Sequence, residues 1–304
     1  MSARERGAAL VLAMLVAALA ATVAVALAAE QQRWFADVVN RRDQVQAQSL
    51  ALAGVQWARQ IMRDDARNGL VDHLQEPWAF PLPATPIANG LIEGRIEDAQ
   101  AGFNLNNLTL DSALGTAEQL RLRRLLAAKG VAPALLGAIA DWIDSDSVAR
   151  ADGAEDQSYL QASPPSLAAN APLVRVAELA AVRGVTLKDL DTLAPFVFAL
   201  PAGTALNINT APPEALAAAV PGLEGDSLAS FVADRVRKPF MTIAEVRARL
   251  PRGISLGDET AFAVGSSYFL VSVRSRQGDA IALARALLKR DGRTLPAVVW
   301  QTLE

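Results

Sequence analysis

The sequence predicts an α+β fold in which a long N-terminal helix packs on a small antiparallel sheet, with a large all-α domain inserted into that sheet. A charge-free apolar stretch near the N-terminus continues into an amphipathic pattern without a proline. Alternation typical of strands occurs near residue 91 and returns only after residue 266. The residues between these two regions have a helical composition, so the chain of 304 residues is expected to hold two domains.

The first predicted element is one helix of about 55 residues, Ala8–Met62, in which Gly54 is the only glycine. Ala8–Ala29 contains 22 residues without a charge, about 33 Å of helix, which is enough to span a bilayer. Arg4 and Arg6 precede this stretch, so the positive-inside rule leaves the N-terminus cytoplasmic. Beyond it, apolar residues recur near heptad spacing at Trp34, Val38, Val45, Leu52 and Val55.

The same stretch has an alternative interpretation as a removable secretory signal. Ala26-Leu27-Ala28 matches the small-x-small pattern that precedes a signal peptidase cut. A secretory signal usually has a shorter apolar core, and it has no need to continue into a long amphipathic helix. The pattern favours a retained helix and leaves a secreted enzyme with a cleaved leader as the alternative.

Composition argues against several classes of function. The chain has no cysteine and a single histidine, His73, so a zinc site or a cysteine nucleophile lacks its side chains. A Ser/His catalytic pair would depend entirely on His73, which precedes a proline-rich stretch and is expected to lie in a loop. The net charge of −3 argues against broad nucleic-acid binding, which normally requires a basic surface.

The elements after the first helix are predicted from turn residues and periodicity. Glu76–Pro86 contains four prolines and is predicted to be a loop, and Leu91–Asp98 alternates as a strand does. Helices are predicted over Ala117–Ala128 and Ala132–Ser145. Turn residues separate the last predicted strands, which are Ser267–Arg276, Ala280–Arg290 and Pro296–Thr302. Propensity alone also suits a helix for the second of these, but the turns on both sides favour a strand.

The segment Asp141–Leu160 has the highest density of acidic side chains in the sequence and is the main candidate for a chemical site. It holds six carboxylates against Arg150, and such charges repel one another unless water or a cation separates them. The start at Asp144 is similar to an EF-hand loop, but Val148 stands where a third ligand belongs and Gly153 comes too late. The pattern alone is equally compatible with a solvated loop of helix-capping residues and with a calcium site. A hydrolase that uses a carboxylate pair is a further alternative.

A helical hairpin is predicted from Leu206 to Arg237, with Thr210 as an N-cap and a Pro-Gly-Leu turn at position 221. Helix, turn and helix resemble a helix-hairpin-helix or SAM-like unit, a type that often binds DNA. Glu224 and Asp226 follow the turn and would repel phosphate, so protein contact is favoured over a membrane-anchored DNA receptor. The basic residues Arg235, Arg237 and Lys238 are expected to form a solvated face.

Two asparagine pairs, Asn104/Asn106 and Asn207/Asn209, suggest two related helical units. Two tripeptides are too short to establish a duplication.

The N-terminus resembles a type IV prepilin leader, because Arg-x-Arg-Gly at residues 4–7 is followed by Ala-Ala-Leu-Val-Leu. In that family a prepilin peptidase cuts after the glycine, which implies cleavage between Gly7 and Ala8. Most members carry Glu at the fifth mature position, where this chain has Leu12. That departure resembles the minor pseudopilin K of type II secretion systems, whose members also carry a large helical insertion.

This resemblance implies a structural protein without catalysis, located at the tip of a pseudopilus that helps to export folded proteins across the outer membrane. Its implied partners are the minor pseudopilins I and J, prepilin peptidase and the inner-membrane secretion platform, and not nucleic acid. The implied location is the bacterial inner membrane, crossed once, with most of the chain periplasmic. The domains expected on this basis are a leader at 1–7, a membrane part at 8–29, a body at 30–104 plus 262–304, and an inserted helical domain at 105–261.

The acidic segment also matches the pseudopilin K pattern, Asp-Trp-Ile-Asp-x-Asp followed by Gly-Ala-Glu-Asp and a Tyr. The helical domain of that family binds calcium, so the resemblance implies a structural Ca²⁺ whose loss would destabilise the fold. Its implied ligands are Asp144, Asp146, Glu155 and Asp156, with Asp152 in reserve. Asp141 is expected to end the preceding helix instead.

Overall fold

The computed structural model describes residues 3–87 and 90–304, and it describes side chains from Leu12 onward. The predicted processing site at Gly7 and Ala8 falls outside the residues whose side chains are described. In the described part, the helices are α1 (Ala3–Asn68), α2 (Ala113–Ala128), α3 (Leu135–Ile143), α4 (Asp156–Leu160), α5 (Leu187–Leu193), α6 (Pro213–Ala219), α7 (Gly225–Arg237) and α8 (Ile243–Arg249). The strands are β1 (Leu82–Ile87), β2 (Gly90–Asp98), β3 (Phe103–Asn104), β4 (Val197–Phe198), β5 (Leu206–Asn207), β6 (Phe262–Ala263), β7 (Tyr268–Gln277), β8 (Ala280–Lys289) and β9 (Ala297–Leu303).

A five-stranded antiparallel sheet has the strand order β1-β2-β7-β8-β9. The predicted strand near residue 91 and the three late strands are confirmed, including the preference for a strand at Ala280–Lys289. The predicted loop at Glu76–Pro86 is wrong from Leu82 onward, where β1 forms an edge of the sheet. An edge strand needs ladder hydrogen bonds on one side only, so it accommodates Pro83 and Pro86.

The predicted long helix is confirmed, and 66 residues make α1 about 100 Å long. Its second half lays small and medium side chains on one face of the sheet, with Ala47, Ala51, Val55, Ala58 and Met62 buried against strands β2, β7 and β8. A Cβ on Gly54 would lie 2.6 Å from Val273 Cγ1, so this glycine lets helix and sheet approach closely. The first half of α1 packs on nothing that the structure describes, and Leu12 is 65% exposed.

The segment between β2 and β7 has an apolar core of its own. One buried cluster draws its residues from 103–262, and a separate cluster draws from 47–96 and 269–288. The predicted domain limits at 105 and 261 stay a prediction, as does the SAM-like comparison for the hairpin. The hairpin itself forms α6 and α7, but α6 begins at Pro213 with Pro212 as its cap, so the predicted cap at Thr210 is wrong.

The first asparagine of each pair lies at the equivalent position of a short parallel ladder. Phe103–Asn104 pairs with Val197–Phe198, and Leu206–Asn207 pairs with Phe262–Ala263. In the first unit Asn106 Nδ2 donates to Leu173 O and Leu200 O, and Leu173 N donates back to Asn106 Oδ1.

In the second unit Asn209 makes the same set of bonds, from Nδ2 to Phe240 O and Val264 O and from Phe240 N to its Oδ1. The repeated bonding supports two related helical units in the insertion.

A buried polar junction ties the insertion to the sheet and to the end of α1. Asn207 Nδ2 donates to Asp98 Oδ2 at 2.9 Å and to Ser266 Oγ at 3.0 Å, and Thr210 Oγ1 donates to Asp98 Oδ2 at 2.6 Å. Asp98 ends β2 and Ser266 precedes β7, so these bonds fix both points where the chain leaves and re-enters the sheet. Burial raises the pKa of Asp98, against the lowering effect of these donors.

Arg290 is the cation of this junction and lies between the end of α1 and the start of β7. Its guanidinium donates to Asp65 Oδ2 at 2.9 Å, to Asp72 Oδ2 at 2.5 Å and to Ser266 O at 2.7 Å. Burial raises the pKa of Asp72 to about 7 and that of Asp65 to about 6, although Arg290 opposes both shifts. The junction therefore holds more carboxylate than cation.

Candidate metal centre

The acidic segment folds back on α3 because two glycines remove the side chains that would prevent it. A Cβ on Gly137 would lie 2.6 Å from Ala151 O, and one on Gly153 would lie 1.8 Å from Asp141 Oδ2. Asp152 turns the chain between them with a φ of 62°. α3 ends at Ile143 and α4 begins at Asp156, so the loop between them covers the last turn of α3.

Three carboxylates meet beneath this loop. Asp141, Asp144 and Glu155 each offer an oxygen within 4.8 Å of the others, and their exposed fractions are 0%, 7% and 6%. Asp141 lies in the last turn of α3 and Asp144 directly follows Ile143, so both carboxylates come from the C-terminal end of this helix. Glu155 reaches the same point from the residue before α4.

Arg150 is the cation at this cluster. Its Nη1 donates to Asp141 Oδ1 at 2.7 Å and also contacts Asp144 Oδ2. Its backbone N–H donates to Asp141 Oδ2 at 3.1 Å. Burial lowers the pKa of Arg150, but its hydrogen bonds to Asp144 and Asp141 outweigh this effect and hold the pKa above its ordinary value.

Three carboxylate oxygens of the cluster are buried and accept no hydrogen bond from the residues that the structure describes. They are Asp144 Oδ1, Glu155 Oε1 and Glu155 Oε2. Burial raises the pKa of Glu155, and the charges of Asp141, Asp144, Asp146 and Asp156 raise it further. Buried, unpartnered carboxylate oxygens that face other carboxylates are the donor set that a hard cation such as Ca²⁺ prefers.

The predicted ligands separate into two groups. Asp144 and Glu155 belong to the cluster, whereas Asp146 is exposed and accepts from Val148 N at 2.8 Å, and Asp156 accepts from Ala168 N at 3.0 Å. Asp152, the reserve ligand, is exposed as well. The charges of the other three predicted ligands, Asp144, Asp146 and Asp156, all raise the pKa of Glu155, so all four lie near one another.

Asp141 is the residue that sequence reasoning assigned to another role. It is expected to end the helix, yet α3 continues to Ile143 and the Asp141 side chain is fully buried in the cluster. Its spacing from Asp144 was the available signal, since residues three apart face the same way on a helix. Trp142, its neighbour in the chain, packs edge to face on Tyr159 at 5.0 Å between ring centroids, and both side chains are buried.

A second acidic group, Asp65, Asp72 and Glu76, has comparable spacing. The Arg290 guanidinium already bonds Asp65 and Asp72. Glu76 Oε2 accepts from His73 N at 2.8 Å and from Trp78 Nε1 at 2.9 Å. These bonds make the second group a structural junction and leave the Asp141 cluster as the stronger metal candidate.

The predicted basic face on α7 holds only in part. Arg237 and Lys238 are exposed, but Arg235 is 4% exposed and donates to Ile208 O at 2.6 Å and to Ala211 O at 2.7 Å. Arg235 therefore binds backbone carbonyls next to Asn209 and is not available to a phosphate. The expectation of a solvated side chain is wrong for this residue.

The first half of α1 provides the other functional feature. Within the described residues, this helix is long and apolar enough to cross a membrane, with a mean hydropathy of 2.5 in a window of which none is buried. Trp34 and Phe35 follow the apolar stretch and are 67% and 64% exposed. Exposed aromatic residues at such a position are typical of a membrane–water interface.

Comparison with known protein families gives one consistent result. Two family models, both described as type II secretion system (T2SS), protein K, match residues 101–202 and 206–264. Type II secretion system protein K of Pseudomonas aeruginosa is 32% identical over 303 residues, covering 95% of this chain and 90% of the relative. The protein K of Klebsiella pneumoniae is 30% identical, covering 98% and 96% of the two chains.

The fold has a solved relative as well. A chain of the GspK–GspI–GspJ complex from the type 2 secretion system of enterotoxigenic Escherichia coli superposes with a TM-score of 0.77 at 25% identity. The match covers 88% of this chain and 99% of that chain. The similarity therefore includes both the helix-and-sheet body and the helical insertion, and neither a hydrolase nor a DNA receptor is among these relatives.

Proposed function

Because the chain belongs to the type II secretion system protein K family, we propose that it is a minor pseudopilin at the tip of the secretion pseudopilus. It supports assembly of the pseudopilus and export of folded proteins, and it acts through protein contacts and not through catalysis. The observation that carries this proposal is the fold match across 99% of a chain from a GspK–GspI–GspJ complex. Its partners are accordingly the minor pseudopilins I and J.

The position at the tip also agrees with the residue at position 12. A pseudopilin within the filament uses a carboxylate there to pair with the N-terminus of its neighbour, and this chain carries Leu12. A subunit with no neighbour above it has no use for that charge. Co-expression of the full chain with minor pseudopilins I and J from the same organism tests the assignment. We expect a complex of the three proteins, and failure to recover one would contradict the tip role.

The apolar half of α1 anchors the chain once in the inner membrane, with the bulk of the chain periplasmic and in contact with the secretion platform. The exposed apolar stretch and the aromatic pair Trp34 and Phe35 support this location. Eleven of the 22 uncharged residues are alanines, so the segment buries less apolar side chain in lipid than a leucine-rich helix would, which suits a helix that must later leave the lipid.

Processing by prepilin peptidase after Gly7 is part of the same proposal. N-terminal sequencing of the protein from cells with the peptidase should give Ala8 as the first residue, and cells without it should give an uncut chain. A mature start at Ala29 would instead support the cleaved secretory leader.

A structural Ca²⁺ completes the proposed function. Asp144 and Glu155 are proposed as ligands together with Asp141, which the sequence did not predict as one, and the bound ion would neutralise the buried carboxylates and fix the loop on α3. Asp146 and Asp156 stay proposed ligands, because each accepts a backbone N–H through Oδ1 and can offer Oδ2 to the ion.

Thermal unfolding of the full chain in detergent tests the calcium proposal. An ion at about 100 times its Kd adds about 2.7 kcal/mol to the unfolding free energy, which corresponds to a rise in Tm of roughly 5–11 °C over an EGTA control. Glu155→Gln should remove most of that rise, and the matched control Glu178→Gln, outside the cluster, should keep it. Equal Tm values in calcium and EGTA for the unaltered chain would refute the calcium site.

A further inference from the structure

The geometry points to a second role for Arg150: we propose that its guanidinium occupies the cluster of Asp141, Asp144 and Glu155 in the calcium-free protein and leaves when calcium binds. Arg150 would then be a built-in competitor that sets the affinity for the ion. This inference rests on the proposed calcium site and concerns how that site is regulated.

The first support is the position of the guanidinium. Arg150 Nη1 reaches Asp141 Oδ1 at 2.7 Å and contacts Asp144 Oδ2 as well, so a single donor nitrogen lies between two of the three buried carboxylates. A cation placed among the same oxygens would be held at 2.3–2.6 Å from them, where a neighbouring guanidinium would be repelled. The two cations therefore compete for the same place.

The second support is the imbalance of charge. One guanidinium faces three carboxylates that are at least nine-tenths buried, and it bonds only two of them. Both oxygens of Glu155 and Oδ1 of Asp144 accept no bond from the described residues. A divalent ion with six to eight oxygen ligands compensates these carboxylates more completely than the arginine does, so exchange is favourable once calcium is available.

The third support is that the arginine side chain can leave without unfolding the loop. The side chain is 38% exposed, and a cleft of about 250 Å³ adjoins it, lined in part by Gln119, Arg123 and Gly137. The backbone N–H of Arg150 donates separately to Asp141 Oδ2 at 3.1 Å, so the main chain stays attached when the guanidinium moves out. The loop is thus held in place by the arginine before calcium arrives and by the metal afterwards.

Calcium titration of the full chain in detergent, by calorimetry at fixed ionic strength, tests the proposal on Arg150→Gln. The matched control is Arg123→Gln, which removes a charge from the same cleft but no bond to a carboxylate that the structure describes. We expect Arg150→Gln to bind calcium about tenfold more tightly or better, since charge-assisted hydrogen bonds no longer have to be broken. Arg123→Gln should change the affinity less than about twofold, because an exposed charge acts weakly through solvent.

Thermal unfolding of the same variants gives the second readout. Arg150→Gln should lower the Tm in EGTA and leave the Tm in calcium close to that of the unaltered chain. A purely structural arginine would lower both values equally. Arg150→Lys serves where the glutamine variant does not fold, and it should bind calcium severalfold more tightly because its shorter side chain and more strongly hydrated ammonium compete less well for the two carboxylates.

The outcomes separate the two proposals. Calcium binding by the unaltered chain with an unchanged or weakened affinity in Arg150→Gln, or an equal gain in Arg123→Gln, overturns the competition and leaves the calcium site in place. Binding that is measurable only after Arg150 is replaced supports the competition and overturns the proposal that the unaltered chain carries a structural calcium ion. Absence of binding in all variants overturns both.

Discussion

Replacing Arg290 with methionine removes the cation that bonds Asp65 and Asp72 at the buried junction between α1, the sheet and the insertion. The Arg290 and Asp72 side chains are 2% and 1% exposed, so water cannot take over the lost bonds without opening the junction. Methionine keeps much of the apolar packing against the Phe269 ring, which lies 4.8 Å from the guanidinium carbon. The substitution therefore tests the charge and its hydrogen bonds more than the volume.

The expected loss follows from the carboxylate that is left behind. Removing one partner of a buried ion pair costs about 3–5 kcal/mol, because the other charge stays buried and uncompensated. For a folded region of this size each kcal/mol lowers the Tm by about 2–4 °C, so the expected fall is roughly 6–20 °C. Asp72→Asn in the Arg290→Met background removes that stranded charge and should restore about half of the loss.

Thermal unfolding of the full chain in detergent with EGTA measures these values, with the double variant completing a mutant cycle. Arg274→Met is the matched control, because Arg274 pairs with Glu93 at 3.1 Å on the surface, where the side chains are 57% and 41% exposed. That control should lose less than about 1 kcal/mol. A loss below about 1 kcal/mol in Arg290→Met, or no recovery on adding Asp72→Asn, would refute the reasoning.

Three further predictions use other parts of the structure. The folded-state pKa of Asp72, about 7, lies above the ordinary value of 3.8, so proton uptake favours the folded chain; the unfolding free energy in EGTA should rise by about 1 kcal/mol from pH 8 to pH 6, and Asp72→Asn should remove most of this rise, leaving the smaller part that Asp65, with a pKa of about 6, contributes. Arg235→Met strands two buried carbonyls and should cost about 2–4 kcal/mol in chemical denaturation, whereas the exposed neighbour Arg237→Met should be nearly neutral. Gly153→Ala places a Cβ 1.8 Å from Asp141 Oδ2 and should weaken calcium binding about tenfold by calorimetry; unchanged binding would mean that the loop does not need this close approach.

Local patterns were sufficient for the long helix and for four of the five strands in the main sheet. The long helix follows from an uninterrupted periodicity, and the late strands follow from alternation between turn residues. The strand β1 could not be predicted in this way, because Pro83 and Pro86 argue against a strand unless it is known to lie at an edge. Edge position is a property of the assembled sheet, and no window of residues contains it.

The metal candidate shows the same division. The residue types identified the acidic segment, and the family resemblance supplied two members of the cluster, Asp144 and Glu155. The role of Asp141 depends on the loop folding back over α3, which Gly137 and Gly153 permit by close contacts that only coordinates reveal.

The sequence by itself determined the family resemblance, the membrane-length helix, the strand pattern and the acidic segment, since each depends on residues that are near one another in the chain. Only the tertiary structure decided which charges are buried and which cation faces which carboxylate. Arg235, Arg150 and Arg290 look alike as basic residues in sequence, yet one binds backbone carbonyls, one faces the metal candidate and one holds the junction. The energy of a charge depends on burial and on partners distant in sequence, and both are fixed only when the chain has folded.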